Sequence, residues 1–418
     1  MLTVEQNEEL TQVGPGTPMG NLLRRYWYPI ALEQDFDSRP SKTVRLLGED
    51  WTLYKTPSGK YGIIGEKCAH RRASLTYGVV HEDGIRCGYH GWKYDFDGQC
   101  VEQPAEADNQ NFRDRVRAKA GLAQVLGGMV WVYVGPQPAP LLPRFDVYVL
   151  PGVRDIGYTT LPCNWLQIME NSVDPHHVEW LHGFYFDFVG KVQGFEAPKS
   201  FQKKHMKTAF DAHEFGIVKR RVLEGHSEED DDWKIGHPLV FPYCMRVGGG
   251  GIDQMQIRVP IDDTHTWKVF YSLHHPEGGT WDEQPPTVYE YQWKRDDGTL
   301  ITDYVEGQDI MAWVSQGTIT DRTQEHLGRS DIGVAMLRKM FKESMKLVQD
   351  GQDPAATVRY QHDVINLPCE KNKFGAERVF AGQWINGGSM RYSPIKEQLL
   401  DLHVKAWIVR DAAAEANA

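Results

Sequence analysis

Short runs of alternating apolar and polar positions fill residues 43–135: TVRLLGEDWTLYKT, KYGIIGEKC and GIRCGYHGWKYDFDGQCVE. Gly, Asp and Pro separate them, so the period of two predicts an all-β module of small hairpins. Asp97-Gly98, between KYDF and QCVE, marks one hairpin turn. VLGGMVWVYVG at 125–135 is apolar and β-branched but far too short to span a membrane, so it reads as a strand. Ahead of this module, residues 1–40 read as a helical arm, punctuated by Pro15-Gly16-Thr17-Pro18 and resuming in MGNLLRRYWYPIAL. The Pro-rich GPQPAPLLPRF at 135–145 marks a domain boundary, giving domains 1–145 and 146–418.

Beyond the boundary the period changes repeatedly. NWLQIMENSV and HHVEWLH read as helical, whereas FGIVKRRVLEG, MQIRVPID and TWKVFYSLHH read as antiparallel strands of a larger sheet. Helix returns at 308–316 and at 332–351. In the latter, Ile332, Leu337, Met340, Phe341 and Val348 fall near one face, Ser330 or Asp331 caps the start, and Gly351 follows the end. GHSEEDDDW and VGGGGID read as loops, and the C-terminal DAAAEANA as a fraying tail. The chain shows no internal repeat. The fold class is α+β: an all-β first domain, then an antiparallel sheet with helices.

Composition narrows the partners. A chain of 418 residues exceeds the size at which one core stops growing, which agrees with two domains. Lys and Arg number 46 against 57 Asp and Glu, a net charge of −11 without a basic stripe, which argues against nucleic acid. No apolar run reaches membrane length, and MLTVEQNEEL is acidic and amphipathic rather than a signal peptide. Six cysteines are sparse; Cys100, Cys163, Cys244 and Cys369 are scattered and read as buried thiols in a reducing cytoplasm. Cytoplasmic location, with no membrane partner, is the expectation.

CAHRRASLTYGVVHEDGIRCGYH at 68–90 carries the first chemistry. It reduces to Cys68-x-His70, sixteen residues, then Cys87-x-x-His90. A [2Fe–2S] centre with two thiolates on one iron and two imidazoles on the other needs that inventory. Zinc also accepts two Cys and two His, but its usual spacing pairs Cys with Cys and His with His. Here each loop supplies one of each. Such a cluster delivers single electrons, so it needs an acceptor.

NWLQIMENSVDPHHVEWLH at 164–182 is the candidate acceptor site. It holds Glu170, Asn171, Asp174, His176, His177 and His182. Two His and one carboxylate on one face of a non-haem iron leave positions open for O₂ and substrate. His177 and His182 are five residues apart, about 140° on an ideal helix. If both bind one metal, the helix is broken or bulged to a π turn between them. His176 competes, but adjacent helical residues diverge by about 100° and do not share a metal. Asp174, three residues before His177, is positioned to accept its second N–H, and Asp174-Pro175 also suits a helix start. A carboxylate must complete the set, and the spacing alone does not say which.

Together these residues resemble the Rieske non-haem iron oxygenases, the α subunits of ring-hydroxylating and aryl-demethylating systems, most closely the phthalate 4,5-dioxygenase-like group. The likeness runs from LTQVGPGTPMGNLLRRYWYPIAL, through the motif at 68–90 and GWKYDFDGQCVEQPAE, to NW…EN..D..H….H and QGTITDRTQEHLGRSDIGVAMLR. It implies an N-terminal Rieske [2Fe–2S] domain held by Cys68, Cys87, His70 and His90, and a C-terminal catalytic domain. There, one mononuclear Fe(II) per subunit is held by His177, His182 and a downstream Asp that best matches Asp309, with Asp303, Glu306 and Asp321 as nearby alternatives. It also implies that Asn171 lies near that iron. Asp174 would bridge His177 to His90 of a neighbouring subunit, in a homotrimer or stacked hexamer. Electrons would come from an NAD(P)H-dependent reductase or ferredoxin, and O₂ would be the co-substrate. The outcome would be hydroxylation of a substituted, carboxylated aromatic, or O-demethylation of an aryl ether. A Rieske electron-transfer protein without oxygenase activity, and a zinc-stapled binding protein, are the readings from other classes. Where the family has Pro beside the cluster ligands and Gly after the first Arg, this chain has Ala69, Gly88 and Arg72. LHGFYFDF after His182 is a candidate wall or lid, and Arg220, Arg221, Arg246 and Arg258 are cations that a substrate carboxylate would need.

Overall fold

The computed structural model describes residues 1–416. They group into two compact units: 12–142 with 357–361, and 1–11 with 143–356 and the chain from 362 onward. In the first, the strands are β1 (Tyr28–Leu32), β2 (Ser41–Leu46), β3 (Glu49–Lys55), β4 (Tyr61–Gly65), β5 (Val79–His81), β6 (Gly84–Arg86), β7 (Lys93–Tyr94), β8 (Cys100–Glu102), β9 (Ala120–Leu126) and β10 (Met129–Tyr133). They form two antiparallel sheets, ordered β1-β10-β9-β4-β3-β2 and β5-β6-β7-β8. β10 is buried at every position, as a central strand of apolar residues should be. The YPIAL segment is not helical: Tyr28 to Leu32 pair with Val132 to Met129, so non-local pairing overrides the helical reading of the arm. The predicted turn at Asp97-Gly98 closes β7 onto β8. Gly98 has φ +78°, and a Cβ there would lie 2.2 Å from the Ala118 carbonyl oxygen.

The second unit is built on one sheet. Its strands are β11 (Val153–Leu161), β12 (His205–His213), β13 (Gly216–Leu223), β14 (His237–Val240), β15 (Cys244–Gly249), β16 (Ile252–Pro260), β17 (Thr266–His274) and β18 (Thr287–Glu290). The order is β12-β13-β14-β15-β16-β17-β11-β18, with only the β11–β18 pair parallel. Helices at Trp165–Ser172, Val305–Ser315, Ile332–Gln349 and Lys396–Ala416 belong to the same unit. The Trp165–Ser172 helix starts at Asn164, whose side chain accepts from the Leu166 N–H.

Four local expectations are corrected. VGGGGID is not a loop: β15 and β16 run to a two-residue turn at Gly250-Gly251, both with positive φ. GHSEEDDDW contains a short helix, Asp231–Lys234, and buries Asp232 against Arg221. In the Ile332–Gln349 helix, Ile332 is exposed, and the buried face centres on Val334, Leu337, Phe341, Met345 and Val348. DAAAEANA continues the last helix to Ala416, because alanine is the best helix former; residues 417–418 lie outside the described residues.

Candidate metal centres

In the first unit, Cys68 and His70 follow β4, and Cys87 and His90 sit at the tip joining β6 to β7. Both loops are closed tightly on themselves. Cys68 N–H donates to the Ala73 carbonyl at 2.8 Å, and Arg72 N–H to the Cys68 carbonyl at 2.9 Å. Cys87 N–H donates to the Trp92 carbonyl at 2.8 Å, and Gly91 N–H to the Cys87 carbonyl at 3.0 Å. Both thiols are buried among Leu75, Ile85, Trp92 and Tyr94, while His70 and His90 are half-buried. The two imidazoles meet edge to face, centroids 4.5 Å apart, and His70 stacks on Trp92 at 4.4 Å. His70 Nδ1 is buried without a hydrogen-bond partner. Desolvation, then His70 and Arg71 alongside, lower the His90 pKa, which keeps that ring neutral and able to ligate. Two inner thiols and two outer imidazoles are the donor set a mixed-ligand [2Fe–2S] cluster takes.

In the second unit, the chain after Asp174 enters a π-helical stretch, Val178–Tyr185, with His177 as its cap. Hydrogen bonds that close over five residues bring positions five apart onto one face. Gly183 lets the stretch pack closely on the chain at Phe201: a Cβ there would lie 2.8 Å from the Phe201 carbonyl oxygen. The rings of His177 and His182 consequently stand 5.3 Å apart. From the Val305–Ser315 helix, Asp309 Oδ1 reaches to 3.2 Å from His182 Nε2 and 3.7 Å from His177 Nε2. That oxygen is buried and makes no hydrogen bond, so three ligand atoms converge on one point that they do not satisfy among themselves. Burial opposes ionisation of Asp309, but His182 and His177 outweigh it and hold its pKa low. This geometry fits a divalent metal bound by two imidazoles and a carboxylate.

The outer nitrogens are also oriented. His182 Nδ1 lies 2.8 Å from Gln308 Oε1, and Gln308 Nε2 donates to the Thr302 carbonyl at 3.0 Å. With the amide fixed that way, His182 donates through Nδ1 and presents the Nε2 lone pair inward. His177 Nδ1 lies 3.5 Å from Asp174 Oδ2, and Asp174 Oδ1 accepts from the His176 N–H at 2.8 Å. Burial again opposes the charge on Asp174, but His177, the His176 N–H and Lys219 outweigh it and lower its pKa. Gln308 escaped the sequence reading although it adjoins Asp309; its signal is only that it stands beside the carboxylate.

The remaining candidates are placed elsewhere. His176 faces the ring of His205 at 5.3 Å. Asp303 pairs with Arg391, Glu306 bonds Ser389, and Asp321 accepts from Thr323. Glu170 is held by Arg322 and Arg338. Asn171 lines a cavity that also receives His177, His182 and Asp309. The apolar walls of that cavity are Val178, Phe201, Met245, Val247, Phe374 and Trp384. The residues of LHGFYFDF beyond its His182 are absent from that lining, with Phe184 and Phe188 exposed instead. No helix among the described residues is long and apolar enough to cross a membrane.

Residues 26–114 match the family model for the Rieske [2Fe-2S] domain, and residues 293–368 the model described as LigXa C-terminal domain like. The chain is 42% identical to the 5,5'-dehydrodivanillate O-demethylase oxygenase subunit of Sphingobium sp., over 86% of this chain and 84% of that protein. It is 33% identical to the phthalate 4,5-dioxygenase oxygenase subunit of Pseudomonas putida, over 85% of this chain and 89% of that protein. Among solved structures it is similar to Pseudomonas putida CBB5 NdmA, with a TM-score of 0.58 and 17% identity. The match covers 82% of this chain and 98% of that one, a likeness of fold.

Proposed function

The chain belongs to the Rieske non-haem iron oxygenases, as a terminal oxygenase subunit, and from that premise we propose that it oxidises a carboxylated aromatic by removing an O-methyl group. Cys68, Cys87, His70 and His90 hold the [2Fe–2S] cluster, and His177, His182 and Asp309 hold a mononuclear Fe(II). The observation that carries this reading is the convergence of the last three on a cavity walled by apolar and aromatic side chains. The iron, when bound, supplies O₂ activation at the coordination positions that three protein ligands leave open. The chain's own residues do the rest. Gln308 fixes the His182 tautomer, Asp174 faces the outer nitrogen of His177, Phe201, Phe374 and Trp384 keep the site dry, and Asn171 borders it. The overall change consumes O₂, two electrons and two protons. It converts the methoxy carbon to a hemiacetal that falls apart to a phenol and formaldehyde, with water as the second product.

The electrons come from an NAD(P)H-dependent reductase or ferredoxin. Asp174 passes them between His90 of a neighbouring subunit and His177, which requires a homotrimer or a stacked hexamer. The six unpaired cysteines favour a reducing cytoplasm as its place of work. The 42% identity to an O-demethylase favours demethylation; the 33% identity to a ring dioxygenase supports hydroxylation as the second reading.

Purified protein should contain three irons and two acid-labile sulfides per chain and give a Rieske-type EPR signal on reduction. His177→Ala should lose one iron and keep the signal. Aromatic acids carrying methoxy groups should release formaldehyde in step with NADH consumption; a diol without formaldehyde would select the second reading. Asp174→Asn should keep all three irons and slow single-turnover transfer from cluster to iron about 10–100-fold. An unchanged rate removes the bridging role.

A further inference from the structure

The strand GIVKRRVL points Lys219 and Arg221 to one side and Arg220 to the other, as period two requires. Arg220 pairs at the surface with Asp211, whereas Lys219 and Arg221 are 4% and 2% exposed. Both border the cavity of His177, His182 and Asp309, and so does Lys373. Arg221 is paired with Asp232 and Glu370 at 3.0 and 3.2 Å, and Lys373 is paired with Glu370. Lys219 has no such partner. Its Nζ donates to the Ser172 carbonyl at 3.0 Å, and no carboxylate lies within 4.0 Å of it among the described residues.

In direct contact the three cations meet only Asp232 and Glu370; Asp174 acts on Lys219 from beyond ion-pair distance, and the neighbouring His237 is kept neutral by burial and by Lys373. Two other fully buried cations of this unit also lack a carboxylate partner, but neither borders the cavity. Arg258 is engaged by Ser172 Oγ and Gln256, and Lys268 lies over the Phe270 ring. A desolvated ammonium beside a cavity is costly unless an anion joins it. Burial, then Arg221 and Lys373, push the Lys219 pKa down to about 7, and Asp174 and Glu370 offset this only in part.

We propose that Lys219 is the specificity-determining residue of the substrate cavity, its ammonium receiving an anionic oxygen of the aromatic and so turning the reacting group toward the His177–His182–Asp309 site. This rests on the oxygenase reading above and names the class of substrate it takes. The oxygen can be a carboxylate or a phenolate, and the two are separable. Arg221 and Lys373, already neutralised, set the field but do not accept the ligand.

The test is calorimetric binding to the holoenzyme, so that it reads recognition independently of turnover. The probes are 3-methoxybenzoate against its methyl ester, and 3-methoxyphenol against 1,3-dimethoxybenzene. Wild-type protein should prefer the ionisable member of one pair, the acid or the phenol, by about 10–100-fold. Lys219→Met, which replaces a buried charge by an apolar chain of similar length, should fold, keep its irons and lose that preference, with the neutral probe unaffected. Lys219→Arg should restore much of it. Preference in the acid pair assigns a carboxylate, and preference in the phenol pair a phenolate. A preference that survives in Lys219→Met, or wild-type protein with none in either pair, overturns the proposal. Failure of methoxy-aromatic turnover with recognition intact would instead count against the demethylation reading alone.

Discussion

Gln308 Oε1 lies 2.8 Å from His182 Nδ1, and the residue after Gln308 carries the carboxylate that meets the other nitrogen of the same ring. One turn of helix thus sets both edges of one imidazole. Gln308→Leu keeps the size of the side chain and removes the acceptor, leaving His182 free to choose its tautomer. Metal affinity at the mononuclear site should fall about 10–100-fold, with cluster content unchanged. Iron retention during dialysis against a chelator measures it; retention equal to wild type would show that Gln308 does not orient the ring.

Glu170 illustrates a carboxylate next to the site that serves the fold. Arg322 donates to it from Nε and Nη2, and Arg338 from Nε at 2.6 Å. Burial raises its pKa, but the two guanidinium groups outweigh burial and hold it below the ordinary 4.5. A depressed carboxylate contributes stability that is present above the unfolded value and is lost as pH falls through the folded one. Glu170→Gln leaves the buried Arg322 without a carboxylate, while Arg338 keeps Glu325, and should cost about 3 kcal/mol at neutral pH. The loss should shrink steadily below pH 4.5, which urea unfolding at several pH values would follow. A cost independent of pH would mean that the charge is not what matters.

The two groups of candidate ligands were legible because metal spacing is local. Cys68-x-His70 and Cys87-x-x-His90 lie within single loops, and a shared metal at the five-residue interval from His177 to His182 called for either a broken helix or a π turn, of which the structure contains the second. Asp309 needed the family resemblance, since nothing in EGQDIM distinguishes it from Glu306 until the fold aims one at the imidazoles and the other at Ser389. Lys219 was passed over beside Arg220 and Arg221, although strand alternation separates Arg220 from the other two. What remained illegible is the pairing of Asp232 and Glu370 with Arg221, because contacts between distant segments leave no periodic trace. YPIAL failed for the same reason: its partner strand lies about a hundred residues away.

Arg72 departs from the family's glycine, and its φ of +62° gives the departure a physical meaning. The left-handed region costs a residue with a Cβ about 1–2 kcal/mol. The Arg72 side chain is exposed, so little packing is lost on removing it. Arg72→Gly should stabilise the cluster unit by about 1 kcal/mol, the larger unfolded-state entropy of Gly offsetting part of the gain. Bleaching of the cluster absorbance on heating should move up by about 3 °C. A lower bleaching temperature would show that Arg72 makes a contact whose value exceeds its backbone strain.

Tyr94 tunes the cluster through one hydroxyl. Its Oη lies 3.2 Å from Cys68 Sγ and accepts from the Ala69 N–H at 3.1 Å, so the hydroxyl proton is directed at the sulfur. Burial, then Cys68 itself, raise the Tyr94 pKa well above its ordinary value, so the donor persists at every working pH. Reduction adds negative charge to the cluster and strengthens this hydrogen bond, which therefore favours the reduced form. Tyr94→Phe should lower the midpoint potential by tens of millivolts. About 60 mV is the scale expected, since for one electron it corresponds to about 1.4 kcal/mol, near the net worth of one hydrogen bond. The lower potential also makes electron transfer to the iron more favourable while making reduction by the partner harder, so turnover should become limited by the reductase. A redox titration followed by EPR decides the first point, and the dependence of turnover on reductase concentration the second. An unchanged or raised potential would mean that the hydroxyl serves the Ala69 N–H and not the sulfur.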